Sequence, residues 1–233
     1  ASFRIMIEND KEAFFMKLGI VGTGAMGRTL RECAEKDEAF SEIAMIEPLD
    51  ESSWPAYKTD LLIDFSHPKA ILDIYEYCRK HGGNIPVVLA TTGYSPAEEE
   101  IIRMLAKICP IDRKTNYSQG IAAMNELAKL GRKLLEPQAD IRLLERHHTH
   151  KKDAPSGTCK TLCDYLGIKP DEYEEKVAYL RMGTVCGEHS IFFAMPDEVI
   201  EIKHTAYSKK IFAAGALEAG KKMLTCQDGD LGV

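Results

Sequence analysis

The sequence predicts an α/β protein: a doubly wound parallel sheet followed by a second domain of mixed α+β type. Short apolar runs alternate with helical patterns roughly every thirty residues over the first half, the signature of strand–helix–strand crossovers. The first run, residues 16–21, enters a turn that reads Gly22-Thr23-Gly24-Ala25-Met26-Gly27. Beyond Tyr117 the alternation breaks, and helices and strands follow in an order that suits a sheet of mixed direction.

Each element has its own local signal. Residues 28–35 have helical composition, and residues 42–47 read as a second strand that ends in an acid, Glu47. Residues 60–65 are a buried-type strand, and Ser66-His-Pro68 turns the chain into a helix over 69–81. Residues 85–90 form another buried strand closed by Thr91-Thr-Gly93. Ser95 then caps a helix through Ile108, with acids in its first turn. After Asn116-Tyr-Ser-Gln-Gly120, apolar positions 121, 124, 127 and 130 predict a helix to Leu135. A strand over 139–145, a helix from Thr158 to Leu166, strands over 188–194 and 199–205, and a helix over 212–223 complete the chain. Phe192 and Phe193 are read as core aromatics, with an interface patch as the alternative. The division expected is a dinucleotide-binding domain over 16–117 and 210–233, with a substrate-binding and oligomerisation domain over 118–209. Residues 1–15 are read as an extension of unknown origin ahead of Met16, which looks like a natural start before the first strand.

The glycine turn has a physical reason at each position. Gly22 makes the tight turn, Gly24 lets the backbone approach a pyrophosphate, and Gly27 lets the following helix pack on the strand. Glu47 at the end of the second strand is placed to accept hydrogen bonds from the adenosine ribose. These features predict a Rossmann-type domain. Pro48, Leu49, Asp50 and Glu51 follow, with no basic residue until Lys58, so NADH is expected to be preferred over NADPH. Thr91, Thr92, Asn116 and Tyr117 fall beyond the carboxyl ends of the predicted strands, where a nicotinamide would lie.

Glu145-Arg-His-His-Thr-His-Lys-Lys-Asp-Ala-Pro-Ser-Gly-Thr158 concentrates the chemistry. His147, His148 and His150 exchange protons near neutral pH, and Lys151 and Lys152 add fixed positive charge. Ser156-Gly157-Thr158 opens a helix, so backbone N–H groups and hydroxyls there form a cradle for a carboxylate or phosphate. The histidines with Glu145 and Asp153 also offer metal ligands. The neighbouring lysines would repel a dication, and the helical His-x-x-x-His arrangement is missing, so no metal is expected.

Composition narrows the class. The chain has 233 residues, a formal net charge of −6, 45% hydrophobic and 28% charged residues, which is an ordinary globular balance. No apolar run is long enough to span a membrane, and the acidic pI near 5.7 argues against a nucleic-acid partner. Seven scattered cysteines without a Cys-x-x-Cys pair suit the reducing cytoplasm. Cys159 and Cys163, one helical turn apart, are read as core residues.

Together these motifs resemble the bacterial dihydrodipicolinate reductases, also called 4-hydroxy-tetrahydrodipicolinate reductases, from about Met16 to the last helix. Residues 145–158 are similar to the family signature E-x-H-H-x-x-K-x-D-A-P-S-G-T. Asp64-Phe-Ser-His-Pro68, Ala90-Thr-Thr-Gly93, Asn116-Tyr-Ser-Gln-Gly120, Gly187-Glu-His189 and Phe212-Ala-Ala-Gly-Ala-Leu217 support it. The resemblance implies reduction of 4-hydroxy-tetrahydrodipicolinate to tetrahydrodipicolinate in lysine and diaminopimelate biosynthesis, with NADH or NADPH, by a homotetramer joined through the second domain's sheet. It implies that His147 is the proton donor or acceptor and Lys151 a second acid–base or substrate-orienting group. His148, Gly157 and Thr158 would hold a carboxylate of the small dicarboxylate substrate. The implied cofactor contacts are Gly22, Thr23, Gly24, Ala25, Met26, Glu47, Ala90, Thr91, Thr92, Lys114, Thr115, Asn116 and Tyr117. The chain departs from the family form in its shorter glycine turn without an arginine. Lys209 stands where many relatives have arginine, residues 171–181 are compressed, and the end at Gly232-Val233 comes early.

Overall fold

Strand β1 (Met16–Val21) leads through the glycine turn into α1 (Ala25–Ala34), and β2 (Phe40–Ile46) follows. The structure, a computed structural model, describes residues 16–225. The extension 1–15, Cys226 and the terminal Gly232-Val233 lie outside the described residues. β3 (Leu61–Asp64), α2 (Ile71–Lys80), β4 (Val87–Leu89), α3 (Pro96–Ala106) and β5 (Ile111–Arg113) continue the alternation. The five strands form one sheet in the order β2-β1-β3-β4-β5, every pair parallel. Between β1 and β3 the strand order reverses, which opens a crevice at the carboxyl ends of the strands.

Each strand alternates its side chains between two cores, because successive residues point to opposite faces. Leu62, Val87 and Leu89 pack with Ile74, Cys78, Ile102 and Leu105 of α2 and α3. Leu61, Ile63 and Val88 pack with Leu30 of α1 and with Ala213, Ala216 and Leu217 of the final helix, α7 (Lys210–Thr225). Strand β5 has no signal of its own in the sequence: three residues with Pro110 before and charges within. It forms because Ile111 and Arg113 pair with Val87 and Leu89. α1 begins three residues earlier than its composition predicts, inside the glycine turn.

The second half contains α4 (Gln119–Leu135), β6 (Asp140–His147), α5 (Gly157–Leu166), the short α6 (Tyr173–Lys176), β7 (Val177–Arg181), β8 (Gly187–Met195) and β9 (Glu198–Ala206). Its sheet runs β7-β6-β8-β9, with β6 and β7 parallel and the other pairs antiparallel. α5 is the crossover that a parallel β6–β7 pair requires. α6 and β7 occupy the segment that the sequence reading left without elements.

Two expectations need correction here. Ile121 and Met124 are buried, but Leu127 and Leu130 of the predicted apolar stripe are about half exposed. Steps of three residues fall about 60° short of a helical turn each, so the stripe rotates away. The buried face instead continues through Ala128 to Gly131, whose missing side chain admits the ring of Phe193. Phe193 is fully buried as expected, whereas Phe192, on the opposite face of β8, is only partly so.

Candidate active site

The turn after β1 is shaped for a phosphate. Gly22 has φ +110°, in a region where a side chain is strained. A Cβ on Gly27 would lie 1.8 Å from the Gly22 carbonyl oxygen, so helix and turn touch through bare backbone. Gly24, the N-cap of α1, faces open space, and the first turn of the helix has neither a capping side chain nor an acid. The unsatisfied N–H groups and the positive end of the helix dipole are left for an anion, which fits the pyrophosphate of a dinucleotide. Glu47 follows β2 directly and accepts a hydrogen bond from Thr23 Oγ1 at 2.5 Å. Arg28 Nη1 donates to the Thr23 carbonyl at 2.8 Å, bringing a cation beside the turn that the sequence spacing did not reveal. Lys58 Nζ is turned away to the Gly83 carbonyl.

The carboxyl ends of β3 and β4 are tied together behind the crevice. Ser66 N–H is shared between Asp64 Oδ1 and Thr91 Oγ1, and Tyr94 hydroxyl donates to Asp64 Oδ2. Burial raises the Asp64 carboxyl above its usual range, against the pull of these hydrogen bonds. Thr91 thus braces the two loops. Tyr117 hydroxyl points back to the Asp112 carbonyl at 2.8 Å, and Lys114 Nζ pairs with Asp112.

A cleft of about 290 Å³ separates the two sheets. Of the residues expected to touch cofactor or substrate, Met26, Ala90, Thr92, Thr115, Asn116, Tyr117, His147, His148, Lys151, Gly157 and Thr158 line it. Gly22, Thr23, Gly24, Ala25, Glu47, Thr91 and Lys114 do not; the glycine turn and Glu47 form the separate cradle described above. Phe65, Cys186, His189, His204 and Phe212 also line the cleft and were not singled out as site residues from the sequence.

The wall opposite the glycine turn is organised by Glu145, which is fully buried. Ser156 N–H donates to both its oxygens at 3.2 and 3.1 Å, and Arg181 Nη2 donates to Oε1 at 2.8 Å. His147 Nδ1 and His189 Nε2 each stand 3.7 Å from Oε2. Burial alone would neutralise this carboxyl. The hydrogen-bonding partners outweigh it and hold Glu145 ionised, down at about 2. Burial pushes His147 down to about 4, with His189, Lys151 and Arg181 adding to the effect and Glu145 opposing it. The imidazole is therefore neutral near pH 7, contrary to the expectation of a proton exchanger poised at neutrality. Burial, reinforced by Lys209 and Lys151, also lowers His148. Lys151 Nζ pairs with Asp153 Oδ1 at 2.8 Å.

The anion cradle at α5 differs from the sequence expectation in one respect. Ser156 Oγ caps the helix by accepting from Cys159 N–H, and Thr158 Oγ1 accepts from Asn116 Nδ2. Both hydroxyls are engaged, and the first N–H groups of the helix, those of Gly157 and Thr158, have no intrahelical partner, a geometry that can take an anion. A Cβ on Gly157 would meet nothing within 4 Å, which leaves that approach open. Glu145, His147 and His189 bring three ligand atoms within 4.8 Å of one another, a different set from the one the sequence suggested. The Arg181 guanidinium and the start of α5 already neutralise that carboxylate, and they would oppose a dication there. His150 is exposed.

A phosphate cradle at the switch point of a parallel sheet, facing a cleft lined by histidine, lysine and a helix N-terminus, defines a dinucleotide-dependent oxidoreductase. Comparison with known proteins narrows the class. The family descriptions "Dihydrodipicolinate reductase, N-terminus" and "Dihydrodipicolinate reductase, C-terminus" match residues 16–117 and 120–231. The 4-hydroxy-tetrahydrodipicolinate reductase of Exiguobacterium sibiricum is 39% identical, covering 90% of this chain and 91% of that protein. The enzyme of the same name from Clostridium tetani is 35% identical, with 91% and 93% covered. The dipicolinate-bound dihydrodipicolinate reductase of Paenisporosarcina sp. TG-14 superposes with a TM-score of 0.65 at 18% identity, covering 90% of this chain and 94% of that one. The chain belongs to the dihydrodipicolinate reductase family.

Proposed function

We propose that the chain reduces 4-hydroxy-tetrahydrodipicolinate to tetrahydrodipicolinate, the reductase step of lysine and diaminopimelate biosynthesis for which its relatives are named. One observation carries the reading: His147, His148, Lys151 and the start of α5 share a cleft with the loops that follow β4 and β5. Residues 16–117 with 210–225 would bind the dinucleotide, and residues 118–209 the substrate; their separate cores support that division.

Gly157 and Thr158 N–H groups and His148 hold one carboxylate of the substrate, and Lys151 exchanges its Asp153 partner for the ligand. When bound, the nicotinamide nucleotide supplies a hydride to one carbon of the conjugated imine. Negative charge then develops on the partner atom and requires a proton, which His147 delivers. The neutral state of His147 in the free protein is consistent with this order. A dicarboxylate entering the cleft adds negative charge and raises the imidazole's affinity for a proton, so the acid is charged as substrate arrives. Exclusion of water strengthens each of these contacts.

NADH is the preferred cofactor in this reading and NADPH the alternative. Glu47 at the ribose end supports NADH, while Arg28 beside Thr23 supplies a cation that would soften discrimination against a 2′-phosphate. A homotetramer joined through the second sheet is part of this reading, and the exposed Tyr179 on β7 and Val199 on β9 are apolar surface on the two edges of that sheet. Among the described residues six cysteines are free thiols, which supports the cytoplasm. No helix among the described residues is long and apolar enough to cross a membrane.

The test is loss of reduced-cofactor absorbance on adding freshly prepared 4-hydroxy-tetrahydrodipicolinate, run with NADH, with NADPH and without substrate. Substrate-dependent oxidation is expected with both, faster with NADH. No oxidation by folded protein that binds cofactor would overturn the reading.

A further inference from the structure

Arg181 ends β7, directly opposite His147 in the parallel register of β6 and β7. Its side chain is 16% exposed and its fork is fully used. Nη2 donates to Glu145 Oε1 at 2.8 Å and to the Asp153 carbonyl at 2.6 Å, and Nε donates to the Lys151 carbonyl at 3.3 Å. Glu145 in turn takes Ser156 N–H and approaches His147 Nδ1 with its other oxygen. The far edge of the His147 ring, Nε2, lies beside Gly187, where an added Cβ would come within 3.3 Å. Nη1 donates to the Leu180 carbonyl at 3.0 Å, and only the planar guanidinium reaches a carboxylate and three carbonyls at once.

We propose that Glu145 and Arg181 are positioning residues for this reaction, a buried ion pair that orients the His147 ring through Nδ1 and clamps the 151–153 loop that carries Lys151. The inference rests on the reading of the cleft as the reductase site. At 3.7 Å the Glu145 carboxylate makes no hydrogen bond to Nδ1 but attracts a proton there electrostatically, which favours the tautomer that leaves Nε2 toward the cleft. The pair also sets the charge that His147 feels. The groups facing the imidazole are Glu145 on its own strand, Lys151 in the following loop, Arg181 on β7 and His189 on β8. Glu145 stabilises the imidazolium and the other three oppose it, so removal of either member of the pair has a signed consequence.

The experiment is an NMR titration of the histidine side chains in substrate-free protein, with steady-state kinetics on the same samples. Arg181→Met should raise the His147 titration by about one pH unit, and Glu145→Gln should leave His147 neutral to the lowest pH at which the protein stays folded. Both should lower kcat by roughly 10- to 100-fold with the KM for NADH unchanged. Arg181→Lys, which keeps the charge but loses the fork, should restore the His147 titration and not kcat. Shifts in the same direction, no shift, or a KM change that follows the loss of kcat would overturn the proposal. Should a neutral variant fail to fold, Arg181→Lys decides: parental kcat in that variant rejects the clamp. Wild-type turnover of 4-hydroxy-tetrahydrodipicolinate is measured alongside, so absence of the reductase activity is distinguished from absence of the pair's effect.

Discussion

Asn116 Nδ2 donates a 2.8 Å hydrogen bond to Thr158 Oγ1, joining the loop after β5 to the first turn of α5. A second contact, Thr115 Oγ1 to Thr161 Oγ1 at 3.2 Å, lies beside it. These bonds connect the end of the first sheet to the start of α5, so the two walls of the cleft are held in one arrangement. Thr158→Val removes the acceptor at nearly constant volume and leaves Asn116 Nδ2 unpaired. The expected result is a fall in kcat/KM for the dicarboxylate of about 10-fold, consistent with roughly 1–2 kcal/mol for a lost hydrogen bond. Thr158→Ser should retain activity, and a loss in Thr158→Ser as large as that in Thr158→Val would show that the hydroxyl hydrogen bond is not what the site depends on.

Lys151→Ala removes the amino group that lines the cleft and pairs with Asp153. Turnover should fall on the order of 10²-fold or more, with cofactor binding preserved. Stopped-flow measurement of cofactor oxidation with saturating substrate separates this from a binding defect. Unchanged turnover would remove Lys151 from the reaction.

Glu47→Ala deletes the acid that accepts from Thr23 beside the glycine turn. The KM for NADH should rise about 10-fold while that for NADPH changes less or falls, since a lost hydrogen bond costs roughly 1–1.5 kcal/mol and the charge repelling a 2′-phosphate is gone. Arg28→Ala should act in the opposite sense, weakening NADPH more than NADH. Parallel Michaelis constants for both cofactors in the two variants provide the check.

Gly27→Ala places a methyl group 1.8 Å from the Gly22 carbonyl oxygen, which nothing flexible can relieve. The helix must separate from the turn, at a cost of about 2–4 kcal/mol in stability. Urea unfolding should show the loss, and isothermal titration should show cofactor binding weakened out of proportion to any change at the substrate cleft.

Acid should destabilise the fold in two steps. His147 titrates at 6.5 in its ordinary state and at about 4 in the folded protein, so the unfolded chain binds its proton first. That stabilisation, about 3 kcal/mol, is present above pH 6.5 and is lost as pH falls through 4. Glu145, lowered from 4.5 to about 2, adds a second loss that runs from pH 4.5 down through 2. Unfolding free energy measured from pH 7 to pH 4 should decline in the parent and decline less in His147→Gln. Equal slopes would show that His147 is not held neutral by the fold.

Much of this protein was readable from local pattern. Ser95 and Glu98 form the capping box at the start of α3, and Ser118 caps α4, as short-range chemistry directs. Leu127 and Leu130 show where such reading stops. Their spacing is apolar and helical, yet the face that packs is chosen by Phe193, which lies far along the chain. Strand β5 was invisible for a related reason, since three residues become a strand only when a neighbour supplies the ladder.

The site divides in the same way. Glycine spacing, the acid after β2 and the histidine–lysine block are each set by contiguous residues, so the sequence alone made a dinucleotide turn and a histidine–lysine site legible as expectations. A period of two along β6 already placed Glu145 and His147 on one face. Register between distant strands decided the rest: Glu145 stands opposite His189, His189 opposite His204, and His147 opposite Arg181. The buried pair, the neutral imidazole and the clamp on the Lys151 loop all follow from that register. A slip of one residue would turn each side chain to the other face, and only the packed sheet excludes it.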